Sequence, residues 1–502
     1  MPARTLIAAG LLAFATQAAA QAPAAPPIVE AARAAARADR NAEAASLFAQ
    51  ALALAPERRA ELLKEYADQL TFSGRAREAV PLYRELLPAR TGAERTAVLK
   101  GLGLALLWSD QPGAARAVYD EVLQAQPRDQ DASRNRARAL SWSGRQREAI
   151  AALQAHLASW PDDAEARVQL AQSQAWLGRP DLARASIAQA PLSDREDARR
   201  LRSDLDLWAA PKTRVEAQRS TQSDDLAIRQ LRFEHSVSFA GGLGNIGGRV
   251  DRLDYEREDG SDEVRVTRPM LLGRYRFSDA AELHAEIGNE HIAPRGSPSM
   301  NRLVYATWLT WWPHDVLRFD LSTSRSTFDN IRSLRLGLTA TQYGLSADFT
   351  PTERQRYTAR AERGLVSDGN RRWRGELEAE WRVRTQPEIW VGARHTRVRF
   401  DRQLDNGYFN PLTFEATLAT ARLTWKPDGE QGRWDLRLAA AWGREHANPD
   451  GSKPAYDASV RAGYRFDAKT RLEARLQRFS TRTSSSSGFA RTTAGLALER
   501  SW

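Results

Sequence analysis

The chain has 502 residues and a formal net charge of +10, a length that accommodates two to four domains of ordinary size. It contains no cysteine, which excludes disulfide scaffolds, thiolate zinc sites and thiol catalysis. No run of apolar residues is long enough for a membrane-spanning helix. The basic excess is spread along the second part of the chain, a poor footprint for nucleic acid.

The chain opens with a short positive start at Arg4, an apolar stretch over residues 6–15, and Ala18-Ala19-Ala20 ahead of Gln21. These are the three parts of a secretory signal peptide, predicted over 1–20 and followed by a Pro/Ala-rich linker over 21–27. The mature protein is expected to be exported.

From 28 to 210 the sequence repeats itself. Trp108, Trp142 and Trp176 recur every 34 residues, each just ahead of a turn (LLWSDQPGAA, LSWSGRQREA, AWLGRPDLA), and Phe72 holds the same place in an earlier copy. Measured from the turn residues Asp39, Gly74, Asp110, Gly144 and Gly178, an alanine follows five positions later: Ala44, Ala79, Ala115, Ala149 and Ala183. A large residue follows nine positions later: Phe48, Tyr83, Tyr119, Leu153 and Ile187. Small against large at fixed spacing, with Pro56, Pro127 and Pro161 ending units, is the pattern of a helix-hairpin repeat. It matches the tetratricopeptide repeat in five copies, and residues 196–210 read as a solvating cap helix. That family's register puts Trp108, Trp142 and Trp176 near the ends of the first helices. There they either carry a polymer or peptide on the concave side or pack against the next repeat.

After Pro211 the period changes to two. In the stretch 373–384, Trp373, Leu377, Ala379, Trp381 and Val383 share one face, while Arg374, Glu376, Glu378, Glu380, Arg382 and Arg384 share the other. Such ionic faces cannot form the dry core of a sandwich, but they suit the water-filled lumen of a barrel whose apolar face meets lipid. Tight turns alternate with longer loops, and the last strand ends on an aromatic, Trp502. Sixteen strands are predicted between 213 and 502. The eighth (332–349) is long and slips phase near Gln342, so 14 or 18 strands also fit. The fold class is therefore an α-helical repeat solenoid (28–210) followed by a transmembrane antiparallel β-barrel (211–502). An even strand count puts both barrel ends on the side of the repeats, the periplasm. The same phase argument makes Arg274, Arg276, Glu286, Arg318, Asp320, Arg374, Glu376, Glu378, Glu380, Arg382, Arg437, Arg461, Arg465, Glu473 and Arg475 candidates for the lumen wall. Any one of them serves equally as part of a mutually paired wall that keeps the barrel rigid.

A signal peptide, repeats with WSGR-type turns and a barrel closing on an aromatic together resemble the outer-membrane exopolysaccharide secretion proteins. In architecture the chain is similar to the poly-β-1,6-N-acetylglucosamine export porin and the cellulose-synthase outer-membrane subunit, and over its second half to the YaiO-type barrel. Five repeats are far fewer than those exporters usually carry. The resemblance implies an outer-membrane protein of a Gram-negative bacterium with periplasmic repeats. It further implies that the repeats recruit a polysaccharide polymer or periplasmic and inner-membrane glycan-biosynthesis proteins, while the barrel conducts the polymer outward. Outer-membrane lipid and the barrel assembly machinery are the other partners implied. The alternative is a barrel that only anchors a scaffold or serves as a surface receptor. The mixed sign of the lumen candidates selects neither a cationic nor an anionic glycan.

No catalytic motif is present. The seven histidines are scattered without an H-E-x-x-H, and there is no G-x-S-x-G elbow or phosphate-binding loop. Glu376, Glu378 and Glu380 at period two fit a charged wall better than a glycosidase pair. The sequence thus points to a non-enzymatic protein without cofactor or metal.

Overall fold

The computed structural model describes residues 25–188, 195–429, 432–448, 450–480 and 490–502. The expected signal peptide and nearly all of the 480–488 loop lie outside the described residues. Helix begins at Ala25, inside the stretch expected to be linker.

Five helix hairpins follow one another: α1 (Ala25–Arg37) with α2 (Asn41–Leu54), α3 (Arg59–Phe72) with α4 (Ala76–Leu86), α5 (Gly92–Trp108) with α6 (Pro112–Ala125), α7 (Gln130–Trp142) with α8 (Gln146–Ser159), and α9 (Ala164–Trp176) with α10 (Pro180–Ala188). A further helix, α11, covers Glu196–Ala209. No helix among the described residues is long and apolar enough to cross a membrane.

The turn residues explain why each first helix stops where it does. Asp39, Gly74, Asp110, Gly144 and Gly178 all hold positive φ, between 55° and 83°. In each case the next residue's amide reaches back to the carbonyl five positions before it, as Arg75 N to Leu70 O (2.8 Å) and Arg179 N to Gln174 O (2.9 Å) show. This is the Schellman ending, which satisfies carbonyls that the helix leaves unpaired. Beyond the turn, the five repeat alanines are 0% exposed, and the large residues opposite them no more than 3%. The hairpins are held by close approach at the small residue and filling at the large one.

The chain folds as two compact units, Met1–Val118 and Tyr119–Trp502. The division falls inside α6 and not at 210, where the sequence period changes, so the last two repeats and α11 belong to the same unit as the strands. Accordingly α11 is more than a solvating cap. Ala198, Leu201 and Leu205 are buried against α9 and α10, and Trp208 Nε1 donates to Gly242 O at 3.3 Å.

The strands are β1 (Lys212–Gln222), β2 (Leu226–Phe239), β3 (Gly244–Arg257), β4 (Glu263–Ser278), β5 (Ala281–Pro294), β6 (Met300–His314), β7 (Leu317–Thr327) and β8 (Thr339–Thr352). They continue as β9 (Gln355–Val366), β10 (Arg371–Thr385), β11 (Glu388–Phe400), β12 (Thr413–Trp425), β13 (Trp434–Asn448), β14 (Gly451–Arg465), β15 (Thr470–Phe479) and β16 (Arg491–Ser501). Each pairs antiparallel with its sequence neighbours, and β1 pairs with β16, closing the barrel. Lys212 lies opposite Ser501, so both ends meet at one rim, the rim of the tight turns.

The expected strand 332–349 is corrected. Residues Ile331–Arg335 form a short helix, α12, and β8 begins only at Thr339.

Outside, the barrel is apolar: Leu231, Leu271, Leu321, Leu345, Leu377 and Trp442 are 58, 67, 60, 52, 63 and 71% exposed. Near the turn-side rim aromatic rings from nearby strands touch, with Phe239 of β2 on Tyr275 of β4 across Gly244 at 5.9 Å, Trp311 on Phe319 at 5.7 Å and Trp434 against Tyr464 at 4.9 Å. A lipid-facing belt with such an aromatic girdle is what a membrane barrel requires.

Candidate functional site: the lumen and its two mouths

Register decides which side chains line the lumen. On β10, Arg374, Glu376, Glu378, Glu380 and Arg382 stand opposite Val398, Thr396, Arg394, Gly392 and Trp390 of β11, all on the face away from Leu377 and Trp381. Following the pairings around the ring places every lumen candidate named above on this inner face. Arg384 is different: a bulge after Arg382 breaks the alternation, and Arg384 Nε donates to Gln386 O at 2.9 Å.

The wall is densely ion-paired. Glu376, 5% exposed, accepts from Arg360 (2.5 Å), Arg374 (2.7 Å) and the Thr396 hydroxyl (3.1 Å). Glu380 takes Arg422 at 2.5 Å, and Glu286 takes Arg249 at 2.9 Å. Arg318 pairs with Asp320 at 2.9 Å, Arg437 with Asp435 at 2.9 Å, Glu473 with Arg471 at 3.5 Å and Arg475 with Glu216 at 3.0 Å. Glu378, Arg461 and Arg465 form no ion pair among the described residues. These charges stand on the inner face, and most of them are ion-paired there.

The loop-side mouth holds what the sequence did not reveal. The β7–β8 connection folds inward across the lumen. Asp329, just after β7, accepts from Tyr255 Oη of β3 (3.0 Å) and Arg491 of β16 (3.3 Å), although β1 to β6 stand between β7 and β16 in the ring. Ile331 and Leu334 are buried against inner-face apolar residues Ile228, Leu253, Tyr255, Val264, Val266 and Ile292. The β11–β12 loop joins it: Ser333 Oγ donates to Asn406 O at 2.6 Å, and Tyr408 packs on Phe328 and Phe400. A signal for this existed. Apolar residues at the loop-side ends of inner faces have no place in a water-filled lumen unless something covers them.

The turn-side mouth receives the last repeats. Asp315, in the β6–β7 turn, accepts from the backbone amides of Arg147 (2.9 Å) and Glu148 (3.3 Å) at the start of α8. Carboxylate oxygen at a helix N-terminus satisfies amides that the helix cannot. Arg179, after the Gly178 turn, pairs with Asp279 of the β4–β5 turn at 2.5 Å and with Asp181 at 2.8 Å. Arg184 donates to Gly241 O at 2.7 Å. None of these docking residues was singled out from sequence.

The three tryptophans proposed as groove residues each end a first helix, at α5, α7 and α9. Trp108, Trp142 and Trp176 are 45, 43 and 53% exposed, and Trp108 meets Phe72 edge-on at 5.9 Å. Trp176 alone also borders the barrel mouth, in a cavity shared with Trp208, Arg274, Arg276 and Trp312.

Closed strands, an apolar belt, an ionic interior and docked helical repeats define a class: an outer-membrane-type β-barrel carrying tetratricopeptide repeats. Residues 143–205 match the family model of the tetratricopeptide repeat. No curated protein matches the chain. Among solved structures, one described as a bacterial polysaccharide outer membrane secretin is similar at 13% identity and TM-score 0.47, over 59% of this chain and 99% of that one. A monoaromatic hydrocarbon channel, CymD, is similar at 9% identity and TM-score 0.36, over 58% and 88%. A thermophilic repeat protein from Thermus thermophilus is similar at 22% identity and TM-score 0.31, over 36% and 99%.

Proposed function

We propose that the protein exports a polysaccharide through the barrel of an outer membrane. The repeats lie in the periplasm, where they recruit the polymer or the periplasmic and inner-membrane proteins that make it. The observation that carries this reading is the placement of the last repeats over the turn-side mouth of a lumen lined with charge. A hydrophilic chain cannot cross lipid, and a wall of paired ions offers it hydrogen-bonding partners at no great electrostatic bias. No chemical step is required of the protein, so it is read as non-enzymatic and free of cofactors; nucleic acid is not a partner. The barrel assembly machinery inserts it, and outer-membrane lipid surrounds it.

The test uses Glu378 and Arg461, inner-face residues whose replacement breaks no ion pair among the described residues. In a strain lacking the chromosomal copy, wild-type chain is expected to restore secreted polymer. The Glu378→Trp/Arg461→Trp variant is expected to assemble in the membrane yet secrete far less. Unchanged secretion by an assembled variant rejects the channel.

A second reading, a barrel that anchors a scaffold or acts as a surface receptor, is favoured by one observation: the β7–β8 loop bridging the loop-side mouth. Removing residues 329–337 separates the two. Exporters gain solute leakage with secretion retained, whereas an anchor shows neither secretion nor dependence on the loop.

A further inference from the structure

The cavity where the last repeat meets the turn-side mouth has a chemistry that the wall does not share. Its volume is about 330 Å³, at the small end of ligand sites. Three indoles border it from three different elements: Trp176 at the end of α9, Trp208 on α11 and Trp312 on β6. Trp312 is engaged by Arg276, whose guanidinium lies 4.7 Å from its ring centre. Trp176 is 53% exposed and stacks on no ring or cation among the described residues.

The charges in the cavity sort into satisfied and unsatisfied. Asp315 is taken by Arg147 and by two backbone amides. Glu282 is taken by His284 at 2.5 Å and Arg276 at 3.4 Å. Both acids are therefore committed. Arg276 spends its Nη groups on Glu282 and Asp279 O, but its buried Nε has no hydrogen-bond partner among the described residues. Arg274, half-buried on the same strand, donates no hydrogen bond and forms no ion pair among them. What remains is Arg274, which acts on Glu282 through its charge but donates no hydrogen bond among the described residues, a second guanidinium with an unused donor, and an indole face.

We propose that this cavity is a binding subsite for a carboxylate-bearing pyranose, with Trp176 offering its face to the sugar ring and Arg274 its guanidinium to the carboxylate. Aromatic faces accept the C–H side of a ring, and the planar fork of arginine matches a carboxylate in two parallel hydrogen bonds. The turn that carries Trp176 is fixed against the site. Gly178 holds φ +83°, and a Cβ there would lie 2.7 Å from Arg276 Nη1, so a side chain at this turn would push that guanidinium aside. The inference rests on the export reading, and it names the acidic sugar that the mixed-sign wall left open.

Calorimetric titration of the full chain in detergent tests it, with tetragalacturonate, cellotetraose and sodium sulfate as probes. Tetragalacturonate is expected to bind, with cellotetraose at least about tenfold weaker, the equivalent of losing one charge-assisted hydrogen bond. Arg274→Gln and Trp176→Ala are each expected to weaken tetragalacturonate by about tenfold or more while keeping the heat-modifiable mobility of the folded barrel. Equal binding of the neutral oligomer, binding of sulfate as tight as tetragalacturonate, or binding untouched by either variant overturns the subsite. If Arg274→Gln misfolds, the Trp176→Ala variant, whose exposed indole supports no core, decides alone. A chain that secretes polymer but binds no hexuronate sinks the subsite and leaves export standing. A chain that binds hexuronate while its deletion leaves secretion unchanged sinks export instead.

Discussion

The two halves of this chain solve opposite problems with one residue set. In the repeats, alanine and tyrosine are hidden and arginine faces water: Ala79 and Ala149 are 0% exposed and Tyr83 1%. In the barrel the order inverts, with Leu377 63% exposed and its neighbour Glu376 5%. The difference teaches that burial is not the same as dryness. Apolar side chains leave water in both halves, but in the barrel they leave it for lipid, and the enclosed space is the polar one.

The contrast makes its largest prediction in the helical half. Tyr83 fills the space beside Gly101, where a Cβ would meet its ring at 2.5 Å, and its hydroxyl donates to Asp68 at 2.6 Å. Tyr83→Ala is expected to cost about 3–5 kcal/mol, read as an earlier thermal loss of helical ellipticity while the barrel's folded mobility on gels stays the same. Loss of both together would mean that the halves are not separate solutions.

Next comes a pair of substitutions on one strand. Leu377→Arg puts a charge into lipid, and such changes cost about 2–4 kcal/mol near the bilayer midplane. Glu378→Leu, one residue away on the inner face, breaks no ion pair among the described residues and is expected to cost below about 1 kcal/mol. Equilibrium unfolding in liposomes with urea measures both. If the order reverses, the assignment of faces is wrong.

A third prediction sets pH against the repeat core. Asp163, the N-cap of α9, is buried, which alone would raise its pKa. Hydrogen bonds from the Ala166 amide (2.9 Å), His156 (3.0 Å), Gln130 (3.1 Å) and Arg134 (2.9 Å) outweigh burial and hold the carboxyl well below the usual carboxylate range. A depressed folded pKa contributes stability that is present above the unfolded value, near 4, and is lost as pH falls through the folded one. Asp163→Asn is therefore expected to cost about 2 kcal/mol at pH 7 and progressively less below pH 4. Parallel melting curves at pH 7 and pH 3 check it; an equal gap at both would show that the charge is not what matters.

How much of this was legible follows the same division. Regular repetition exposes itself: the turn residues Gly74, Gly144 and Gly178 mark the left-handed positions, and alternation along 373–383 marks the two faces. What sequence hid was non-periodic. The stretch 328–338 has no repeat to betray it, so its helix read as a long strand. The docking pairs Arg147–Asp315 and Arg179–Asp279 join residues 168 and 100 positions apart, and nothing local couples them. The cavity at the turn-side mouth assembles three tryptophans from three elements, of which only Trp176 belonged to a visible pattern. Folding, not spacing, brought them together.

The smallest predicted effect concerns the surface that both halves share with water. Arg75 and Glu78 form a two-pronged pair at 2.6 Å, with side chains 49 and 55% exposed. In distance it matches the Arg374–Glu376 pair of the lumen, joined through one hydrogen bond at 2.7 Å with side chains 27 and 5% exposed. Distance alone would rank them equal. Exposure separates them, because water and salt screen the first pair and compete for its hydrogen bonds. Arg75→Ala is expected to shift stability by less than about 0.5 kcal/mol, and raising the salt should erase even that. Arg374→Ala leaves Glu376 with Arg360 and Thr396 in an enclosed space, and should cost more and resist salt. Denaturation of both variants at low and high ionic strength decides whether enclosure, rather than contact, sets the strength of an ion pair in this molecule.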